Sequence, residues 1–200
     1  MHRIEVCLKA HLPDPAGLGL VKDIHDLGIA SVSDARVIDV YWLNASLTTD
    51  KLDLIGRELL ADPVTQGYWY ENYPRPENET GSLYHSIEVT YNAGVTDPVQ
   101  ASILKAINDL GIKEVKAVKT AKRYLIKGQL DKHQLETIAS KLLVNPIIQH
   151  IVKQEEAFPE TPRYQFVLKE VDIKEAGKQF GFSSEELKAI TDYYKKQGRN

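Results

Sequence analysis

Residues 4–10, IEVCLKA, alternate apolar with other side chains, the period of a strand with one buried face. Residues 87–93, IEVTYNA, repeat the alternation. An Asp-Pro pair follows in both places. Apolar residues then fall at Leu18, Val21, Ile24 and Leu27, or at Ala101, Leu104, Ile107 and Leu110. That spacing predicts a helix, and Gly28 or Gly111 stands where a helix end takes a left-handed residue. Next come SVSDARVIDVYWLNA and EVKAVKTAKRYLIKG, each long enough for two strands joined by a tight turn. A second helix carries Leu52, Ile55 and Leu59, matched by Leu135, Ile138 and Leu142. It stops near Pro63 or Pro146, because the residue before proline is pushed out of the helical region. GYWYENY and HIVKQEE supply a closing strand.

The two series are a tandem duplication. DLGI at 26–29 returns at 109–112, and the same offset of 83 residues sets His2 on His85, Tyr41 on Tyr124 and ELLADP on KLLVNP. About a third of the superimposed positions are identical without a gap, against roughly one in seventeen by chance at ordinary residue frequencies. Each copy reads β-α-β-β-α-β, the ferredoxin-like order. The expected architecture is therefore α+β, with two tandem βαββαβ units about a pseudo-twofold axis. Their sheets associate, with Ile4, Val6, Ile87 and Val89 near the interior. Repeat 1 covers residues 1–74 and repeat 2 covers 85–160; residues 75–84, within the proline-containing ENYPRPENETGSLY, connect them. A helical segment occupies 161–200: Ser183 and Glu186 form a capping box, Leu187, Ile190 and Tyr194 an apolar stripe, and Gly198 a stop.

Composition narrows the partners. A net charge of −3 and a pI near 6.1 argue against a surface that neutralises many phosphates, so no nucleic acid is expected. No apolar run approaches the roughly 20 residues that span a bilayer, so no membrane is expected either. The single cysteine, Cys7, makes no internal disulfide, and a reducing, cytoplasmic setting follows by default.

Candidate chemistry is sparse. Cys7 has no base nearby in sequence and reads as a structural thiol. The six histidines show no metal-ligand spacing, and His2 with His85 reads as a pair of inherited strand starts. DPAGLG lacks a phosphate-loop pattern and reads as a helix start with Asp14 near its N-terminus. Trp42, Trp69, Tyr41, Tyr68 and Tyr70 read as core or interface residues on strands. No catalytic, cofactor-binding or metal residue is assigned. The strongest charge feature is KEVKAVKTAKR at 113–123. Within it Lys116, Lys119, Lys122 and Arg123 correspond to Ser33, Arg36, Asp39 and Val40 at the equivalent positions of the first copy. This asymmetry makes the four cations candidate partner contacts, against a plainer reading as a solvated strand face.

DPAGLGLVKDIHDLG, followed by VSDARVIDVYWL and LLADPVTQGYWYE, resembles PurS, the small subunit of phosphoribosylformylglycinamidine (FGAM) synthase. Ala35-Arg36-Val37 and Val118-Lys119 occupy that family's VRV region, and Ala121-Lys122 its GK. The tail FSSEELKAITDYYKKQGRN resembles the start of the helical linker that follows in large FGAM synthases. The resemblance implies a PurS-like dimer fused into one chain, acting as an N-terminal scaffold in purine biosynthesis. The parent enzyme is a ligase that amidates formylglycinamide ribonucleotide with ATP, Mg and glutamine. Those cofactors would lie in its synthetase domains and none in this segment, which alone would be non-catalytic. Implied partners are the synthetase domains and a glutaminase domain or subunit. The alternative is an ACT-like tandem regulatory module that binds an amino acid; DPAGL approximates its helix start.

Overall fold

A computed structural model describes residues 1–70, 84–152, 177, 181–196 and 198. The predicted connection at 75–83 and the first part of the predicted tail segment lie outside the described residues. The chain divides into two compact units, Met1–Pro162 and Arg163–Asn200.

In the first unit the order is β1 (His2–Leu8), α1 (Pro15–Asp26), β2 (Val32–Asn44), α2 (Thr49–Ile55), β3 (Gln66–Tyr70), then β4 (Tyr84–Tyr91), α3 (Gln100–Asp109), β5 (Ala117–Gly128), α4 (Lys132–Ile138) and β6 (Gln149–Ile151). All six strands form one antiparallel sheet in the order β3-β1-β2-β5-β4-β6. The α+β class, the two tandem repeats and their ferredoxin-like alternation stand as read from the sequence.

The predicted tight turn inside residues 31–45 does not form. Val32–Asn44 is one strand of 13 residues, and Ala117–Gly128 is one of 12. Each repeat therefore has one long strand where two were expected. The interior of DARVIDVYW has no glycine, proline or asparagine to reverse the chain. Pairing supplies the rest of the reason: β2 runs against β5 from Val32↔Gly128 to Asn44↔Ala117. β1 joins β2 only over His2↔Leu43 to Val6↔Asp39. The other repeat satisfies the backbone along the full length, so no turn is required.

The repeats share cores rather than each holding its own. Ile4, Val6, Leu43, Leu52 and Ile55 of the first repeat pack with Ile103, Ile107 and Ile112 of the second. Reciprocally, Leu20 and Ile24 of α1 pack with Ile87, Val89, Ile126 and Ile138. Ile4, Val6, Ile87 and Val89 are all buried, as expected. A third cluster of Cys7, Ile38, Val40, Ala121 and Leu125 carries Trp42, Trp69 and Tyr84 at its margin.

Helix ends follow the local chemistry. Gly28 and Gly111 take φ of 85° and 84°, the left-handed stop that their positions predicted. Both second helices end in a wide turn, Gly56–Leu60 and Ala139–Leu143, closed by Ala61 N–H to Gly56 O and Val144 N–H to Ala139 O at 2.9 Å.

In the second unit, α5 (Ser184–Lys196) has the predicted capping box. Ser183 N–H donates to Glu186 at 2.8 Å, and Glu186 N–H returns to Ser183 Oγ at 3.3 Å. The Ser183 backbone N–H first, and then its hydroxyl donating to Glu186 Oε2 at 2.9 Å, hold the Glu186 carboxyl below its usual range. Gly198 is left-handed as predicted. Among the described residues no helix is long and apolar enough to cross a membrane.

Candidate interaction surface

Polar groups meet where the repeats join, and the Asp-Pro motif explains part of why. Pairing of β1 with β2 stops at Val6↔Asp39, before the Val37 N–H is reached. Asp14 fills the gap. Its Oδ1 accepts from Ala16 and Gly17 N–H at 3.0 Å, capping α1, and its Oδ2 accepts from Val37 N–H at 2.8 Å. Asp97 makes the corresponding bonds in the second repeat, there to the residue that precedes α3. Its Oδ1 accepts from Val99 N–H at 3.0 Å, and its Oδ2 from Thr120 N–H and Oγ1–H at 2.9 and 2.8 Å. Val37 and Thr120 are themselves equivalent positions. Both aspartates are buried, so these bonds replace lost hydration. Helix starts are thereby fastened to the central strands.

Close packing reinforces the clamp in the first repeat. A Cβ on Gly17 would sit 1.9 Å from Ala35 O, so α1 touches β2 backbone to backbone. Arg36 completes this corner by donating to Leu8 O and Ala10 O at 3.3 and 3.0 Å.

Across the sheet lies a charge network. Arg3 donates to both oxygens of Glu88 at 2.9 and 2.7 Å and, through Nε, to Glu5 at 2.7 Å. Arg123 donates to both oxygens of Glu5 at 2.9 and 3.0 Å. Glu5 and Glu88 are repeat equivalents, and each is bridged by an arginine of the other repeat. Burial works against the Arg3 charge, but Glu88 and Glu5 outweigh it and hold the guanidinium above its ordinary range. Arg3 also lies 4.6 Å over the Trp42 ring.

On the helix side, Lys122 Nζ pairs with Asp39 Oδ1 at 2.8 Å. Beside this pair opens a cavity of about 150 Å³ lined by Asp39, Tyr41, Thr120, Lys122 and Tyr124. The Tyr41 phenol is pushed up to about 12, first by burial and then by the charges of Asp39 and Asp97.

The four cations singled out in the sequence do not share one surface. Lys116 is exposed just before β5. Lys119 is half-buried, and burial lowers its pKa. Lys122 is held by Asp39, and Arg123 is buried against Glu5. Alternation along β5 sends Lys119 and Arg123 to one face and Lys122 to the other.

The remaining sequence candidates serve the scaffold. Cys7 is buried, with its thiol directed at Leu8 O at 3.4 Å. His2 accepts from Leu47 N–H at 2.9 Å, and His85 bonds Gly128 O at the end of β5 at 3.1 Å, so both fasten strand starts to neighbouring chain. Tyr68 donates to Asp53 at 2.6 Å and stacks on Tyr70 at 6.4 Å.

Sequence reasoning missed the Arg3–Glu5–Glu88–Arg123 network. Its signal was present: a glutamate recurs inside the apolar alternation of both β1 and β4, where an unpaired charge would be costly.

The family described as PurS, phosphoribosylformylglycinamidine (FGAM) synthase, matches residues 1–73 and again 85–156. No curated protein matches the chain. The two matched stretches coincide with the two halves of the six-stranded sheet and together span most of the sequence. The chain therefore belongs to the PurS family, the FGAM synthase component of purine biosynthesis, with two copies in tandem.

Proposed function

We propose that this chain is the scaffold of an FGAM synthase, helping to couple a glutaminase to the synthetase that amidates formylglycinamide ribonucleotide. One observation carries the reading: both copies match PurS, and they are welded into a single sheet whose innermost polar side chains are engaged in holding that sheet together. Asp14 and Asp97 clamp helices, while Glu5 and Arg123 join the repeats. The chemistry left to the module is contact. In this reading ATP and Mg belong to the synthetase, as does the ribonucleotide, and the assembly is cytoplasmic. Lys116 and Lys119, near the start of β5, are the candidate contacts with the glutaminase; Lys122 and Arg123 act within the module.

Sedimentation of the chain with the synthetase and glutaminase of its own enzyme tests this reading. The expected result is a complex containing all three, in which Lys116→Glu weakens glutaminase retention, more strongly at low salt. A glutaminase–synthetase complex of undiminished affinity without the chain would overturn it.

A further inference from the structure

The duplication and the strand register together fix where the pseudo-twofold axis passes. In the central ladder Asp39 stands opposite Lys122, Ile38 opposite Arg123, and Val40 opposite Ala121. At the repeat offset, Asp39 is also the equivalent of Lys122, Ile38 of Ala121, and Val40 of Arg123. Only Asp39 and Lys122 are both equivalent and directly opposed, so the axis runs between them. In an isologous pair a residue at that point would meet its own copy. Here it meets the opposite charge, Nζ to Oδ1 at 2.8 Å. On the other face, the buried Ile38 of one repeat matches the buried, much smaller Ala121 of the other.

We propose that the β2–β5 junction is a specificity-determining interface, in which the first repeat accepts the second repeat and neither accepts a second copy of itself. A self-pair of the first repeat would set Asp39 against Asp39 and place two Ile38 side chains where one isoleucine and one alanine now fit. A self-pair of the second would set Lys122 against Lys122 and flank the axis with two Ala121, leaving a void. Charge and volume thus discriminate independently, on opposite faces of the sheet. The Glu5 and Glu88 bridges bind without discriminating, because either self-pair would still supply one arginine per glutamate: Arg3 in the first repeat, Arg123 in the second. Since α1 and α3 each pack into the other repeat's core, the choice of partner decides whether either core is completed. The partner that fits β2 is thus a strand with a lysine on the axis and a small residue beside it. Between two chains, exchange is heterologous: first repeat with second.

The test uses the full chain with a protease site inserted between Tyr70 and Tyr84, cleaved after folding and mixed with a heavy-isotope copy. Native mass spectrometry then counts the species. Exchange should give pairs of one first and one second repeat, exceeding self-pairs by at least about tenfold, the ratio that a like-charge contact of modest cost produces. A statistical mixture would overturn the proposal. If the halves do not exchange, the uncleaved chain decides. Asp39→Lys and Lys122→Asp should each lower the urea midpoint, and the double swap should recover it. Additive losses, or none in either single variant, would overturn it equally.

Discussion

Asp14→Asn separates a clamp from an ordinary helix cap. At a simple cap asparagine and aspartate rank alike, because one side-chain oxygen serves the helix N–H groups. Asp14 uses both oxygens, one for Ala16 and Gly17 and the other for Val37. An asparagine has one acceptor oxygen, so its NH2 must face either the helix N–H groups or the Val37 N–H. Losing the cap costs about 1 kcal/mol, and stranding a buried donor costs about 1–3 kcal/mol. The Asp14→Asn variant should therefore lose about 1–3 kcal/mol, and Asp14→Ala, which loses both functions, about 2–4 kcal/mol. Typical domains hold only about 5–15 kcal/mol in all, so both losses should be plain in urea unfolding of the full chain. The Val37 amide should also lose hydrogen-exchange protection in the variant. An Asp14→Asn chain within a few tenths of a kcal/mol of wild type, with Val37 still protected, would refute the clamp.

Three other outcomes follow from the geometry. Gly17→Ala drives a methyl into Ala35 O and should cost about 1–3 kcal/mol, whereas Gly19→Ala, with open space around it, should gain about 0.5–1 kcal/mol; equal effects in thermal melts would contradict the close approach. Glu5→Gln leaves the buried Arg123 without its carboxylate and should cost about 3 kcal/mol, more than Glu88→Gln, whose partner Arg3 also holds Glu5; chemical denaturation ranks the two. Tyr41 is held protonated in the fold up to about pH 12 but ionises near its ordinary 10 in the unfolded chain. Its contribution is therefore complete below pH 10 and is lost as pH rises through about 12. Burial works against the Lys122 charge, but the bond to Asp39 together with the charges of Asp39, Tyr124 and Tyr91 outweighs it and raises the ammonium, so Lys122 acts in the same direction at the alkaline end. Tyr41→Phe should flatten the alkaline fall in stability, and an unchanged profile would argue against the buried phenol.

Much of the fold was legible in the chain because its cues are local. Apolar alternation around Ile4 and Ile87, the 3.6-residue stripes of α1 and α3, and the glycines at 28 and 111 each state their own conformation. The offset of 83 then multiplied every local cue by two. What was illegible depends on pairing between repeats. A turn inside β2 was a fair reading of an isolated unit, but β5 lies along the whole strand and removes the need for it. Sequence proximity groups the cations of 116–123 into one patch because it ignores the pleat. Alternation separates Lys122 from Lys119 and Arg123, and the register delivers Lys122 to Asp39 and Arg123 to Glu5. The opposite charges at positions 39 and 122 were visible in the superposed repeats. Only the strand register shows that they face each other.

A module that serves contact within FGAM synthase should matter only when the amide nitrogen comes from glutamine. The most direct measurement is the ratio of glutamine-supported to ammonia-supported FGAM formation by the assembled enzyme. Free ammonia bypasses the glutaminase, so that activity reports the synthetase alone. With Lys116→Glu, and separately Lys119→Glu, the account predicts unchanged ammonia-supported synthesis and a fall in the glutamine-supported rate that deepens at low salt. Equal loss of both activities, or retention of both, would contradict it.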